Sequence, residues 1–253
     1  MIHQQTINCP HCSGDDLVKN GHSRNNTQRW RCNKCKKSFQ LTYHYNAHKP
    51  GVKDQIDQQT LNSSGVRDIA RNLEISPNTI CNHFKKKEPL SVNPFLLDKI
   101  EAGRLSVLEV EICYTTEWDE FWSYVGSKAN QRWTWYLIER SSGIVLAWEN
   151  GRRQDEVLKI LLQKVAHLPI LICHTDDWGA YTRLFPKEYL HIIDKDNTWK
   201  IERKNLNFRT HLKRLHRKTI CFSKNTQIHD NVIGMYIETY YYKYGCYAEA
   251  IAA

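Results

Sequence analysis

The stretch LPILICHTDDW, Leu168 to Trp178, runs an apolar segment straight into two adjacent acids and a tryptophan. A short continuous apolar run is the pattern of a strand buried on both faces. Its end can be read in two ways. Asp is a common turn residue, so Asp176 and Asp177 can simply close the strand. Alternatively, a carboxylate stands at the carboxyl end of a core strand to hold a cation. The surroundings of the stretch decide between these readings.

Working outward, residues 109–126 (EVEICYTTEWDEFWSYVG), 132–140 (RWTWYLIER) and 143–149 (GIVLAWE) are rich in β-branched and aromatic residues and read as three strands. An amphipathic helix follows near 153–166, with Val157, Ile160, Leu161 and Val165 on one side. After the 168–178 strand come YLHII and a long basic helix from about 198 to 217. Three antiparallel strands, a helix and then a buried strand is the order of an α/β, ribonuclease-H-like fold. That order places Asp119 within the first strand, Asp176 at the end of the neighbouring fourth strand, and Glu202 near the start of the late helix. The separations are 57 and 26 residues. Clustered like charges repel, so a cation is expected among them. Oxygen ligands suit magnesium or manganese. Two such ions about 4 Å apart clamp a phosphodiester. Alternation along the strand sends Glu120, the neighbour of Asp119, to the opposite face.

The charge supports a polyanionic partner. Lys and Arg total 36 against 27 Asp and Glu, a net of +9 over 253 residues. Residues 1–90 hold 14 basic and 7 acidic side chains, and residues 195–224 hold 10 and 2. Two basic blocks suggest two surfaces that meet nucleic acid. No run of 18 apolar residues and no apolar signal core is visible, so the protein is expected inside the cell. Thiols stay reduced there, and nine cysteines, an odd number, speak for metal ligation rather than disulfides.

Four of those cysteines form two C-x-x-C knuckles, CPHC at 9–12 and CNKC at 32–35. Their spacing predicts a zinc-ribbon-like module over 1–48 with Cys9, Cys12, Cys32 and Cys35 as tetrahedral zinc ligands. Four protein ligands leave no open position, so this zinc holds structure. His11 lies inside a knuckle, where its backbone helps the turn. Cys81, Cys113, Cys173, Cys221 and Cys246 read as small hydrophobic residues.

A second module spans 52–88. Val66, Ile69, Ala70 and Leu73 fall on one helical face. Ser76 and Pro77 then supply an N-cap and a first-turn proline. The helix that follows buries Ile80 and Phe84. This is the pattern of a helix-turn-helix. Asn78, Thr79, Asn82 and His83 would face base edges, with Lys85 and Lys86 on phosphates. The alternative is a helical hairpin with a solvated polar face. Two prolines in KEPLSVNP, residues 87–94, mark the boundary before a catalytic domain over 100–245.

Together, CPHC, RCNKCKKSFQ, the helix-turn-helix, WDEFWSYVG, TDDW, IERKNLNFR and FSK…HD resemble the insertion-sequence-one (IS1) transposases, over about residues 7–242. The resemblance implies a DDE transposase that binds the terminal inverted repeats of its element, cuts DNA ends and joins them to a target. It implies Asp119, Asp176 and Glu202 as the catalytic, magnesium- or manganese-binding acids. Glycine is usual in the family where this chain has Asp177. Asp176 takes the matching place after Thr175, so Asp177 is expected on the other face or capping the next turn. Arg203, Asn205 and Arg209 on the basic helix are expected near the scissile phosphate. His229 is a candidate to orient a carboxylate or a plain structural residue. Trp118, Trp122, Trp133 and Trp135 read as strand-face packing, with stacking on an unpaired base as the lesser alternative. Double-stranded DNA, both repeats and target, is the expected partner, bound by a homodimer or larger assembly. Two other functions fit less of the chain: a non-catalytic DNA-binding regulator, and a ribonuclease-H-like nuclease of another kind.

Overall fold

A computed structural model describes residues 7–24, 26–43, 45–94, 115–193 and 199–242. The chain forms two compact units, residues 1–49 and 50–253. In the first, β1 (Leu17–His22), β2 (Gln28–Cys32) and β3 (Ser38–Gln40) make an antiparallel sheet in that order. So small a sheet cannot bury a core of ordinary size. Its interior is Cys9, Cys32 and Phe39, flanked by Leu17 and Trp30.

The second unit opens with three short helices, α1 (Val52–Leu61), α2 (Val66–Asn72) and α3 (Pro77–Lys85). The Ser76 hydroxyl accepts the Asn78 N–H at 3.2 Å, which is the expected cap. Sequence periodicity did not anticipate α1. VKDQIDQQTL offers only Val52, Ile56 and Leu61 as apolar residues, and all three are buried against the neighbouring helices. Burial in context makes this helix, not a strong apolar stripe.

The large sheet comprises β4 (Thr115–Val125), β5 (Ser127–Glu139), β6 (Val145–Gly151), β7 (Ile172–Thr175) and β8 (Leu190–Ile193). Its order is β6-β5-β4-β7-β8. The first three strands are antiparallel, while β7 runs parallel to β4 and β8 parallel to β7. This is the ribonuclease-H-like arrangement. Helices α4 (Asp155–Val165), α5 (Gly179–Leu184), α6 (Trp199–His211) and α7 (Thr226–Tyr240) complete it. Under α4 and α5 lie Trp118, Trp135, Leu158, Leu161 and Tyr181. On the other face Phe208 of α6 stacks within 4.9 Å of both Phe121 and Tyr236.

Several expectations are corrected. The apolar run at 168–175 is a strand only from Ile172. Leu168 and Ile170 are buried ahead of it, where Pro169 cannot join a ladder. The basic helix stops at His211, because Leu212 is extended and a 3₁₀ turn follows at Lys213–Leu215. Cys221 is exposed and not a core residue, whereas Cys173 is fully buried. Cys113, Cys246 and the expected strand residues 109–114 lie outside the described residues. Helix α7 was not expected from its sequence, because residues Val232 to Ile237 are buried without interruption and show no polar face. Gly234 lets it pack tightly, since a Cβ there would lie 2.4 Å from Pro89 and 2.6 Å from Trp148.

Helix α7 also carries the helix-turn-helix. Asn231 donates to the Phe84 and Lys87 carbonyls at 2.8 and 2.6 Å, and Gln227 donates to Lys85 O at 3.2 Å. These bonds tie the carbonyls at the end of α3 to α7.

Candidate active site

Strand pleating divides the acids of β4. Glu117, Asp119, Phe121 and Ser123 face α6 and α7, and Trp118 and Glu120 face α4 and α5. Glu117 is 1% exposed and accepts the Ile201 N–H at 3.2 Å, anchoring the first turn of α6. A carboxylate suits a helix N-terminus. Glu202, the residue after Ile201, is exposed, while Asn205, one turn on, reaches back to β4. The Asn205 amide donates to Asp119 Oδ2 at 2.5 Å. Its orientation is fixed by Tyr136, whose hydroxyl donates to Asn205 Oδ1 at 2.8 Å and to Ile201 O at 3.0 Å. The second Asp119 oxygen, Oδ1, accepts the Glu120 N–H at 2.8 Å. Burial raises the Asp119 pKa to about 7, helped by the nearby charges of Glu120 and Asp176.

Glu120 does point the other way, as alternation requires. It is 7% exposed. Arg153 holds its Oε1 at 2.6 Å, and the Tyr181 hydroxyl donates to its Oε2 at 2.7 Å. The Arg153 guanidinium lies 4.9 Å from both the Trp133 and Trp178 ring centres. Glu120 is thus neutralised and committed to packing.

Asp176 follows the last residue of β7, beside β4. Its Oδ1 accepts the Trp178 N–H at 3.1 Å, so it shapes the turn into α5 as well as facing the Asp119 charge. The turn reading of Asp176 is thus met by the structure. Asp177 is exposed. Glu202, Asn205 and Arg209 line one open cavity of about 980 Å³ with Trp122 and Trp133. Three carboxylates suit a hard divalent cation by their chemistry, but among the described residues they do not gather into a metal-holding cluster as they stand. They do not form a closed cage.

The one compact metal-ligating cluster among the described residues is Cys9, Cys12, Cys32 and Cys35, whose sulfurs all lie within 4.8 Å of one another. Cys9–Cys35 and Cys12–Cys32 Sγ separations are 3.6 Å. Sulfurs around tetrahedral zinc lie about 3.8 Å apart for 2.3 Å bonds, so the cage fits that ion. The His11 N–H donates to Cys9 Sγ at 3.4 Å, the expected backbone support. The Cys35 backbone N–H leads the contacts that draw the Cys32 thiol down to about 7, toward the thiolate that zinc binds.

On α3, Asn78, Asn82, Lys85 and Lys86 are exposed and Thr79 is half-buried. His83 is placed differently from its neighbours. Its ring lies 2.7 Å from Asp57 of α1, which also takes Lys87 at 2.6 Å, so contact with DNA would compete with this pair. Arg203 is exposed. His229 orients no carboxylate. It is fully buried between the Ser123 and Ser223 hydroxyls at 2.9 and 2.8 Å. Sequence reading missed Glu117, Tyr136 and Arg153. Tyr136 had a signal of a kind, since it sits directly across from Asp119 on β5.

Fold and layout define a ribonuclease-H-like enzyme domain behind a zinc ribbon and a helix-turn-helix. Comparison with known proteins narrows the class. The sequence model of the IS1 transposase family matches residues 110–243, and those of the InsA C-terminal and N-terminal domains match 43–88 and 4–36. The chain belongs to the IS1 transposase family, and is a DNA-binding transposase. It is 49% identical over 122 residues to the insertion element iso-IS1n protein InsB of Shigella dysenteriae, covering 48% of this chain and 92% of that relative. It is 40% identical over 161 residues to the insertion element IS1 4 protein InsB of Escherichia coli K12, covering 63% and 89%. Among solved structures, the catalytic core domain of BIV integrase aligns with 54% of this chain and 95% of its own at 13% identity, with a TM-score of 0.34. No helix among the described residues is long and apolar enough to cross a membrane.

Proposed function

We propose that this transposase binds the terminal inverted repeats of its element and catalyses metal-dependent cleavage and strand transfer through Asp119, Asp176 and Glu202. One observation carries the reading. Half-buried Asp119 on β4 feels the charge of Asp176, which follows the end of the neighbouring strand β7, and is tied through Asn205 to the helix that bears Glu202. Structural zinc would sit on Cys9, Cys12, Cys32 and Cys35.

Bound magnesium or manganese would activate an attacking water or DNA 3′-hydroxyl and stabilise the leaving oxygen. The protein's own contribution is positioning. Asn205 and Tyr136 fix the Asp119 carboxylate, so that little reorganisation is needed when a cation arrives. Arg209 and Arg203 face DNA phosphates near the cut. Asn78, Thr79 and Asn82 read bases in the major groove while Lys85 and Lys86 rest on the backbone. Two ends must meet for transposition, so the active form is a dimer or larger on DNA. The chain acts where DNA is freely reached, at the nucleoid.

The test is transposition in cells. A marker flanked by the gene's native neighbouring DNA is supplied with wild type or Asp176→Asn protein. Movement with wild type alone, while the folded variant still binds the flanks, supports the reading. Equal movement with both refutes the assignment of Asp176. DNA binding without any cutting by wild type favours a non-catalytic regulator.

A further inference from the structure

The hydrogen-bonded ladder between β4 and β7 ends at Glu117. From Trp118 to Tyr124 the β7-side edge of β4 has no ladder partner among the described residues, until Val125 bridges to Ser223, and the cavity beside Glu202 lies along this stretch. Its other residues divide by chemistry. Trp122 and Trp133, directly opposed on β4 and β5, give it aromatic surface. Arg209 and Arg217 give it positive charge. Glu120 also lines it, but Arg153 and Tyr181 already occupy both of its oxygens.

Trp122 is half-buried and is not part of the core under α4 and α5. It begins an aromatic row. Tyr124 lies 5.5 Å from it and Phe222 lies 5.4 Å further on, at interplanar angles of 34° and 37°. All three are half-buried. A core tryptophan would be covered on both ring faces, but this row runs along an open strand edge beside guanidinium groups. Aromatic faces interleaved with cations suit nucleic acid whose bases are unstacked. Base pairs inside a duplex have no free face to offer. A volume of about 980 Å³ lies at the upper end of the range for small-ligand pockets, about 300–1,000 Å³, ample for one nucleotide.

We propose that this cavity holds one unpaired nucleotide of the DNA end, flipped out beside the cut, with its base on Trp122 and its phosphates on Arg209 and Arg217. This rests on the transposase reading above. The cost of unstacking one base is then offset by stacking on the protein.

The test uses the full chain and a duplex carrying the element's native terminus. Single 2-aminopurines are placed in turn at positions flanking the cut, and calcium replaces magnesium for the binding measurement. Wild type should change the fluorescence of one position next to the cut. Trp122→Ala should lose that change and cleave about tenfold or more slowly, the effect of losing one base–aromatic stack. An abasic site at that position should return its rate toward wild type, a rescue that a merely structural defect would not give. Trp122→Phe should behave as wild type. Trp122→Leu keeps apolar bulk without a π-face and serves if the alanine variant does not fold; it should show the same loss. Wild-type cleavage with no fluorescence change at any position overturns the nucleotide site but leaves the transposase reading intact. So does unchanged cleavage by Trp122→Leu. No cleavage by wild type in magnesium overturns both.

Discussion

The two regions proposed to hold metal are built on opposite plans. In the ribbon, four cysteines already stand in a closed cage, with little else to hold three short strands together. In the second unit, Asp119 on β4, Asp176 after β7 and Glu202 on α6 surround a fold whose aromatic and aliphatic core is complete without them, and the cavity beside Glu202 is open. One ion would substitute for a core. The other would complete a reaction site on a fold that stands alone. A closed four-ligand shell leaves no room for substrate, and an open carboxylate set contributes little to folding.

The sharpest way to break this contrast is metal removal. A strong zinc chelator, or Cys32→Ser, should unfold residues 7–43, since structural zinc supplies on the order of 10 kcal/mol to such modules. Limited proteolysis should then cut there first, while the thermal transition of the 50–253 unit stays in place. Removing magnesium should shift neither. A ribbon that resists both treatments would end the comparison.

Acid should distinguish the regions next. Burial, with Arg214 and Arg132 nearby, lowers the His229 pKa from its usual 6.5 to about 3. Below about pH 6.5 the unfolded chain binds a proton that the folded one refuses. The stability owed to neutral His229 is therefore full above that pH and falls toward pH 3, by on the order of 1 kcal/mol per unit. Urea titrations across this window should show a shallower slope for His229→Gln than for wild type.

Two smaller effects sharpen the picture. Asn205→Ala should slow cleavage roughly tenfold to a hundredfold with DNA binding kept, because Asp119 loses the amide that orients it. Tyr136→Phe should give a milder version, as the Asn205 amide is then free to turn. Asn231→Ala removes two bonds to the end of α3. It should lower stability by about 1–2 kcal/mol in chemical denaturation and raise hydrogen exchange in α3 above that in the sheet.

Legibility in the sequence followed the range of the forces involved. The cysteine knuckles, the Ser76 cap and the alternation that separates Asp119 from Glu120 are local, so spacing alone was enough. Helices α1 and α7 were not legible. The first is too polar to announce itself, and the second is buried on nearly every side, so neither has a periodic stripe.

By itself, then, the sequence determined which residue types exist at which intervals: a zinc-ligating set, a turn between two helices, and three acids on elements that follow one another in a fixed order. Covalent geometry and short-range periodicity are sufficient for that. Only the tertiary structure decided what each polar side chain is paired with. It gave Asn205 to Asp119, His83 to Asp57, Arg153 to Glu120 and His229 to two serines. Apart from His229 and Ser223, these partners are 26 to 106 residues apart and meet only when strands and helices pack, and a buried polar group takes whichever partner that packing brings within hydrogen-bonding distance.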